Sequence, residues 1–164
     1  MSTRAFFTGS FDPFTKGHLD IVERAAAIFD EVIITICANT EKSTGMFTPD
    51  ERAAIIDDSV RGSLLLRGKC VKSEICPSLL AGFICEHGGG VIIRGSRSSS
   101  EFEYESSLAD VNRAIAGIDT LIFPALPHLA FISSTVARDM LLYGRPEIAI
   151  CDGAIDTALR FMHK

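Results

Sequence analysis

The chain has 164 residues, of which 47% are hydrophobic and 23% are charged, and its formal net charge is −5 at pH 7. This length and composition are typical of one globular domain and exclude an intrinsically disordered protein. The negative charge argues against a nucleic-acid partner, because affinity for a polyanion depends on lysine and arginine. A small phosphate ligand needs only a few local cations and helix ends, so the charge does not exclude one.

No segment approaches the roughly 18 uninterrupted apolar residues of a membrane span, and the first residues lack the apolar run and cleavage site of a signal peptide. Five cysteines without CxxC spacing are interpreted as buried free thiols in a reducing compartment. We therefore predict a cytoplasmic protein without a membrane partner. The mean hydropathy of +0.26 favours either an oligomer interface or an unusually apolar core.

The first part of the chain alternates apolar runs of strand length with segments of helical period. Residues 3–8 predict a strand, and residues 17–29 predict a helix after a loop with glycine and proline. Residues 31–38 form a continuous β-branched run, which is typical of a strand buried on both faces. After a polar loop, the capping box TPDE at 48–51 places proline at the first helical position and predicts a helix to about Val60.

The second part continues the alternation. Residues 69–75 predict a strand, and Pro77 starts a predicted helix that ends at the triple glycine 88–90. Residues 91–95 predict another strand, and residues 98–117 predict a long amphipathic helix. The remaining elements are a strand over 120–126, a helix capped by 133–135 that ends near Gly144, and a helix within 152–163.

This alternation predicts right-handed crossovers between strands of a mostly parallel sheet. No internal repeat, low-complexity tract or linker interrupts the pattern. We therefore predict an α/β, Rossmann-like doubly wound parallel sheet with helices on both faces, as a single domain over residues 1–164. Ligands of such sheets bind beyond the carboxyl ends of the strands, so the loops at that edge are the candidates for a site.

The loop between the first strand and the first helix, TGSFDPFTKGH at 8–18, has the features of a phosphate site. Gly9 lets the backbone approach a ligand, and Pro13 makes the loop rigid. His18 falls in the first turn of the helix, where free N–H groups and the helix dipole favour phosphate. An ordinary loop with a histidine at the helix start is the alternative. The string is neither the GxGxxG fingerprint nor the Walker loop, which argues against dehydrogenases and P-loop NTPases.

Two arginines follow a later strand at the same predicted edge. Arg94 and Arg97 can hold phosphate through the planar guanidinium fork, and the intervening glycine permits close approach. The alternative is a surface pair that bridges to Glu101, Glu103 or Glu105 on the next helix.

A third segment, FISST at 131–135, leads into a helix and offers hydroxyl and backbone N–H groups to a phosphate, although for any one of these residues plain N-capping is the favoured interpretation. Lys42 lies in the loop after the second strand and, considered alone, is interpreted as an ordinary exposed lysine. Together the sequence places Lys42, Arg94, Arg97 and His18 on one rim.

These motifs, in this order and spacing, resemble the bacterial phosphopantetheine adenylyltransferases, which belong to the nucleotidyltransferases with the (H/T)xGH motif. The TxGH segment alone indicates only a nucleotidyltransferase, whereas the EFEYE helix start and the short length point to this family. The match runs to about Tyr143. The matching residues are TGSFDPFTKGH at 8–18, Lys42, RGSR at 94–97, EFEYE at 101–105 and FISST at 131–135.

The resemblance implies an enzyme that transfers the adenylyl group of ATP to 4′-phosphopantetheine. The products are dephospho-coenzyme A and pyrophosphate, in the penultimate step of coenzyme A biosynthesis. It implies in-line attack with charge stabilisation, no covalent intermediate, and Mg²⁺ that acts with ATP rather than in a protein metal site. Coenzyme A is a further expected ligand. The resemblance also implies a homo-oligomer, expected to be a hexamer.

The resemblance also assigns residues by motif position. The catalytic group comprises His18, Lys42, Arg94 and Ser10. The acceptor site comprises Ser10, Lys42, Leu80 and Arg94. The ATP site comprises Ser10, Phe11, His18, Gly95, Ser96, Arg97, Glu105, Leu129, Ala130, Phe131, Ile132, Ser133, Ser134 and Thr135.

The sequence departs from the family pattern at two places. Ser10 stands where threonine is usual, which keeps the hydroxyl and loses a methyl group. Leu129 and Ala130 stand where tryptophan and serine are common, which removes an aromatic face beside the adenine.

Two rival functions remain open on the sequence. A related adenylyl- or cytidylyltransferase, for instance one acting on nicotinamide mononucleotide, shares the xGH loop, and Arg138 three residues after Thr135 keeps that option. A non-catalytic nucleotide-binding domain has the same composition, but it has no need to keep His18, Lys42 and Arg94 together.

Overall fold

The computed structural model describes residues 2–37 and 45–163, and strands and helices alternate within them. The strands are β1 (Arg4–Gly9), β2 (Glu31–Cys37), β3 (Cys70–Cys76), β4 (Val91–Ser96) and β5 (Thr120–Pro124). The helices are α1 (Lys16–Ala25), α2 (Pro49–Gly62), α3 (Leu80–Glu86), α4 (Ser99–Ala116), α5 (Ser134–Leu142) and α6 (Ile155–Met162). Short 3-10 helices occur at Pro127–Leu129, Pro146–Ile148 and Asp152–Ala154.

The described strands form one sheet in the order β3-β2-β1-β4-β5, and all four pairings between them are parallel. The chain winds outward from β1 to β3 and then returns to add β4 and β5 on the other side of β1. The strand order therefore reverses between β1 and β4, which is where open parallel sheets bind their ligands. This topology confirms the predicted α/β, Rossmann-like doubly wound fold.

Helices cover both faces of the sheet. Phe7 points into the larger core, to which α1, α2, α5 and α6 contribute. Its neighbour Phe6 points into a smaller core that includes Phe83 and Ile84 of α3. Successive strand residues alternate between faces, so burial of both phenylalanines requires a covering layer on each side. The same two layers explain why residues 32–36 of β2 are an unbroken buried run.

Little of the surface of α4 is covered. Of its 18 residues only Glu105 is buried. The apolar residues of its amphipathic pattern are open to solvent: Phe102 is 51% exposed, Val111 50% and Ile115 71%. The helix therefore forms where the sequence predicts it, but its apolar stripe is not part of the core of the single chain.

The prediction that Pro77 starts a helix is wrong, because α3 begins at Leu80. The thiol of Cys76 donates a hydrogen bond to the Ser78 carbonyl at 3.1 Å, and Leu79 is still extended, with φ −61° and ψ 128°. The proline therefore belongs to the loop that leaves β3.

The helix predicted over 17–29 is shorter than expected, because α1 ends at Ala25. The Ala25 carbonyl accepts the N–H groups of both Ile28 and Phe29, each at 2.9 Å, and this bifurcated contact tightens the chain into a turn. The strand predicted over 120–126 likewise ends at Pro124. Ala38, predicted as the last residue of the second strand, lies outside the described residues.

All five cysteines are free, as predicted, but the prediction that they are all buried is wrong. Cys76 and Cys151 are buried and Cys37 is partly buried, whereas Cys70 and Cys85 are exposed. Cys70 is the first residue of β3, which is the outermost strand on its side of the described sheet, and its side chain is open to solvent. Within residues 2–37 and 45–163, no helix combines the length and apolarity needed to cross a bilayer.

Substitutions at two glycines that have free space around the Cβ position test the backbone geometry. Gly117 ends α4 with φ 66°, in the left-handed region, and Gly82 lies inside α3; a Cβ at either would meet nothing within 4 Å. We expect Gly117→Ala to lower the free energy of unfolding by about 1 kcal/mol, because alanine resists that conformation. Gly82→Ala should raise it by about 0.5–1 kcal/mol, because alanine favours the helix. Urea titrations measure both, and destabilisation of equal size would contradict the assigned backbone geometry.

Candidate active site

A cavity of about 420 Å³ opens at the carboxyl ends of β1 and β4. Its walls come from the end of β1 and the loop into α1, the end of β4, the start of α4, and the segment 125–135. The fold thus gathers most of the residues that the sequence proposes for a site. Those that line the cavity are Ser10, Phe11, His18, Arg94, Gly95, Ser96, Arg97, Glu105, Leu129, Ile132, Ser133, Ser134 and Thr135.

Four proposed residues are not among those lining the cavity. Ala130 and Phe131 lie between lining residues in the sequence, and Phe131 is 59% exposed. Leu80 is the first residue of α3 and packs against the smaller core on the other face of the sheet. Lys42 lies outside the described residues.

The position of His18 follows from the way α1 begins. Thr15 is the N-cap, and its hydroxyl accepts the backbone N–H of His18 at 3.4 Å. In return, Nδ1 of the imidazole accepts the backbone N–H of Thr15 at 3.1 Å. A backbone N–H can only donate, so Nδ1 carries no proton and the proton of the neutral ring lies on Nε2. The capping box therefore leaves His18 with one hydrogen-bond donor, Nε2–H.

The surroundings of His18 keep its ring neutral. Burial, together with the nearby guanidinium groups of Arg97 and Arg94, lowers the pKa of His18 from 6.5 to about 3. The rings of Phe11 and Phe14 lie 5.1 Å and 5.3 Å from the imidazole, measured between ring centroids. Since this apolar wall disfavours the cation, the ring of His18 is neutral at physiological pH.

Helix α5 supports the loop that precedes α1. The Ser134 hydroxyl donates to the Pro13 carbonyl at 2.9 Å. Arg138 donates to the Asp12 carbonyl at 2.6 Å and to the Thr135 hydroxyl at 3.1 Å. The FISST segment at 131–135 therefore helps to hold the loop between β1 and α1 in place. Its residues 132–135 also line the cavity.

Both arginines of the RGSR segment line the cavity while paired to carboxylates on α4. Arg94 makes two 2.7 Å hydrogen bonds to the two carboxylate oxygens of Glu105. It also donates to the carbonyl and, at 3.3 Å, to the hydroxyl of Thr8. Arg97 pairs in the same way with Glu101. The ion pairs that the alternative interpretation expected are therefore present, with Glu101 and Glu105, and they coexist with a position on the cavity wall.

Gly95 lets α1 approach β4 beneath the cavity. A Cβ at this position would lie 2.3 Å from Cδ1 of Ile21, so the end of that buried side chain would have to move to admit one. Sequence analysis connected this glycine with close approach of a ligand; the structure shows that it also lies close to α1.

No group of three or more histidine, cysteine, aspartate or glutamate residues that could hold a metal occurs in the part of the chain that the structure describes. The two acidic residues on the cavity wall, Glu101 and Glu105, are engaged by arginine. A divalent cation at this wall would therefore compete with Arg94 and Arg97 for these two carboxylates.

Sequence reasoning missed several lining residues. Thr15 is the N-cap of α1 and Ile21 lies within that helix, Glu101 and Tyr104 belong to α4, and Ala125 belongs to the loop after β5. For Thr15 a signal existed, because threonine is a preferred N-cap residue before a predicted helix. The others could not be singled out, because their contribution depends on how α1, α4 and β5 pack around the sheet.

Comparisons with known proteins agree with this architecture. The sequence model of the cytidylyltransferase-like family matches residues 6–140. The phosphopantetheine adenylyltransferase of Cutibacterium acnes is 40% identical over 162 residues, which cover 98% of this chain and 99% of that protein. The phosphopantetheine adenylyltransferase of Corynebacterium diphtheriae is 40% identical over 141 residues, which cover 86% of each.

Solved structures share the fold at lower identity. A bifunctional NMN adenylyltransferase/ADP ribose pyrophosphatase from Francisella tularensis, solved with AMP and a manganese ion, has a TM-score of 0.71 at 18% identity, over 100% of this chain and 50% of that one. The nicotinic acid mononucleotide adenylyltransferase of Plasmodium falciparum, solved with NaAD, has a TM-score of 0.71 at 15% identity, over 98% and 96%. These two similarities concern the fold alone. The near-complete match at 40% identity goes further, and the chain belongs to the phosphopantetheine adenylyltransferase family, within the cytidylyltransferase-like proteins.

Proposed function

We propose that this protein transfers the adenylyl group of ATP to 4′-phosphopantetheine, forming dephospho-coenzyme A and pyrophosphate. The observation that carries the proposal is the cavity at the β1–β4 edge, where a neutral histidine, two arginines and the amino ends of α1 and α5 converge. The names of relatives that match nearly the whole chain supply the substrates. We further propose that the whole chain acts as one nucleotidyltransferase domain in the cytoplasm, in the penultimate step of coenzyme A biosynthesis.

The chemistry needs no general base from the protein. The nucleophile is an oxygen of the acceptor phosphate, which is already anionic at neutral pH because the second pKa of a phosphate monoester is about 6. A new P–O bond forms on the α-phosphorus of ATP as the bond to pyrophosphate breaks, without a covalent enzyme intermediate. The protein must hold the reacting atoms in line and stabilise the charge that grows on the α-phosphoryl oxygens.

His18 is the proposed donor to that growing charge. Its Nε2–H is the ring's one donor, because Nδ1 is occupied by the Thr15 N–H. A neutral donor at a helix start acts together with the free N–H groups of the same turn. Since the ring is held by the capping box and by aromatic neighbours, it needs little reorganisation during the reaction.

Arg94, Lys42, Ser10 and Leu80 are the proposed acceptor residues. The two bonds from Glu105 fix the guanidinium plane of Arg94, so an incoming phosphate meets an oriented cation. Ser10 is exposed at the start of the loop between β1 and α1, so its hydroxyl can reach the acceptor.

The ATP site is proposed along the remaining wall. Gly95 and Ser96 at the end of β4, Arg97 directly after the strand, and the amino end of α5 face the phosphates. Leu129 and Ile132 supply apolar surface for the base in place of the aromatic face that is common in the family. Phe11 and Glu105 complete the wall next to His18.

Mg²⁺ is proposed to enter with the nucleotide. It prefers oxygen ligands and is commonly held by substrate phosphates, with few protein ligands and several waters. When bound, it supplies positive charge to the triphosphate and the leaving pyrophosphate. The protein contributes the cavity wall, where hydroxyl and backbone groups at the start of α5 face the proposed position of the phosphates.

A homo-oligomer, which the family resemblance predicts as a hexamer, is proposed to cover the apolar stripe of α4. Phe102, Val111 and Ile115 are each at least half exposed, and contiguous exposed apolar surface is characteristic of protein interfaces. The high mean hydropathy of the chain agrees with such burial.

The reaction is tested by measuring pyrophosphate release with ATP, Mg²⁺ and 4′-phosphopantetheine. We expect release with this acceptor and none with dephosphorylated pantetheine, because the phosphate is the nucleophile. His18→Ala should lower turnover by about 10²–10³-fold with the fold intact, as loss of one preorganised donor does. Release with nicotinamide mononucleotide instead would identify the rival transferase, and ATP binding without release from any acceptor would identify a binding domain.

The pH dependence of kcat/KM distinguishes protonation of His18 from protonation of the acceptor phosphate. Because the pKa of His18 is about 3, the ring stays neutral as the pH falls from 8 to 5 and contributes no loss of rate there. The acceptor phosphate takes up a proton near pH 6, so kcat/KM for the acceptor should fall by about tenfold per pH unit below that value. The same fall should appear in His18→Gln at a lower absolute rate. A fall that disappears in His18→Gln would assign it to the histidine and contradict the neutral ring.

The oligomer is tested by light scattering of the purified protein at micromolar concentration. We expect the mass of a hexamer, and a smaller assembly after Ile115→Glu, because a buried unpaired carboxylate disfavours the interface. Ser107→Glu on the same helix is the control, since Ser107 is exposed and polar. A monomeric mass for the unaltered protein would contradict the proposal.

A further inference from the structure

The loop beside His18 contains one residue in a disfavoured backbone conformation. Phe11 has φ 48°, in the left-handed region that residues with a Cβ avoid. Its ring stands edge-on to the His18 imidazole, with 5.1 Å between the ring centroids. Such a conformation persists only where neighbouring groups hold it. The contacts made by the residues on either side of Phe11 therefore determine where its ring lies.

Arg52 of α2 holds the residue before Phe11. Its Nη1 donates to the Ser10 carbonyl at 3.1 Å, and its Nε donates to the Phe47 carbonyl at 2.8 Å. The same Nε lies 3.5 Å from the carboxylate of Asp12, and the arginine side chain is only 11% exposed. One guanidinium thus joins the loop at 10–12 to the segment at 47–52, which is distant from it in sequence.

Asp12 holds the residue after Phe11. Its two carboxylate oxygens accept the backbone N–H groups of Met46 and Phe47, each at 2.9 Å. Its own carbonyl accepts from Arg138 at 2.6 Å. Both oxygens of the buried carboxylate accept an N–H and a guanidinium lies beside it, so Asp12 ties the loop to the segment at 46–47.

The chain passes over this pair with no room for a side chain. A Cβ on Gly45 would lie 2.2 Å from Nη2 of Arg52 and 2.9 Å from Oδ2 of Asp12. Neither Asp12 nor Arg52 lines the cavity. Any effect of the pair on the reaction must therefore act through the loop that it holds.

We infer that Asp12 and Arg52 are positioning residues: they hold Phe11 in its left-handed conformation and, through the Phe11 ring, fix the imidazole of His18. The inference rests on the proposed function of His18 as the donor to the transferred phosphoryl group. It adds to that function two residues on separate elements, neither of which touches the cavity. Arg138 and Ser134 secure the other side of the same loop from α5.

The first test compares Arg52→Met and Arg52→Lys with Arg61→Met. Arg61 lies on the same helix, is exposed, and pairs with Asp58 far from the cavity. We expect Arg52→Met to lower kcat by about 10–100-fold with KM for ATP changed less than about threefold, because small misplacement of a catalytic group costs this much. Arg52→Lys, which keeps one donor, should fall between, and Arg61→Met should stay within about twofold of the unaltered protein.

A second readout separates positioning from a general loss of folded protein. NMR titration of the imidazole of His18, assigned with His18→Ala, should give a pKa of about 3 in the unaltered protein and a value closer to 6.5 in Arg52→Met, because a released ring reaches water. Calorimetric titration with ATP gives the fraction of competent sites. A reduced fraction with an unchanged His18 titration would show a merely structural role and overturn the inference.

Gly45→Ala tests the same inference by displacing the Arg52 side chain instead of replacing it. Its methyl group must displace the Arg52 guanidinium, so we expect the same loss of kcat and the same change in the His18 titration; if Arg52→Met does not fold, this variant decides the matter. An unaltered protein that releases no pyrophosphate would refute the proposed function, while the NMR titration still tests the positioning. An active protein whose Arg52→Met and Gly45→Ala variants match it in kcat and titration would overturn the inference alone.

Discussion

The hydrogen bond from the Thr15 N–H to Nδ1 of His18, 3.1 Å long, ties the start of α1 to the chemistry proposed for the cavity. It satisfies a backbone donor that the helix cannot pair internally. It also fixes the plane of the imidazole and leaves the ring proton on Nε2. A structural requirement of the helix and a chemical requirement of the site are therefore met by one side chain. This explains why a histidine in the third position of a helix serves where an ordinary capping box uses glutamate.

The two arginines on the cavity wall are oriented by ion pairs with carboxylates of α4. An arginine held among protein atoms without a partner is costly; Glu105 offsets part of that cost for the partly buried Arg94, and Glu101 pairs with the more exposed Arg97. The pairing also restricts each guanidinium to one orientation. A phosphate that enters the cavity therefore meets oriented cations in a protein whose net charge is −5. Local geometry, rather than the overall charge, determines which anion the site can accept.

The sequence predicts the fold well because its signals are local. The alternation of strands and helices implies a parallel sheet, and the capping box at 48–51 forms with both of its reciprocal hydrogen bonds. Once the sheet is parallel, the loops after β1 and β4 must share an edge, which is why His18 and Arg94 could be placed on one rim without coordinates.

The parts that sequence could not predict depend on tertiary contacts. Nothing local distinguishes Glu103 from Glu105 as the partner of Arg94; the choice follows from which side of α4 faces the sheet. The start of α3 also escaped prediction, because the loop after β3 is set by the thiol–carbonyl contact between Cys76 and Ser78. The left-handed Phe11 has no sequence signature, since the contacts inferred to hold it involve Arg52 and the segment at 46–47, which lie outside the motif.

The replacement of an aromatic residue by Leu129 illustrates how separable the parts of this site are. The segment that carries Leu129 is fixed by contacts that its side chain does not make: Ile132 donates to the Leu129 carbonyl at 3.0 Å, and Arg97 donates to the Ile132 carbonyl at 3.3 Å. These bonds hold the segment to the loop after β4. In the proposed ATP site, the leucine side chain therefore offers no aromatic surface for stacking of the base, whereas the contacts that hold the segment do not depend on that side chain. In the proposed reaction this departure acts on the affinity for the nucleotide, whereas the rate of transfer depends on the geometry around His18.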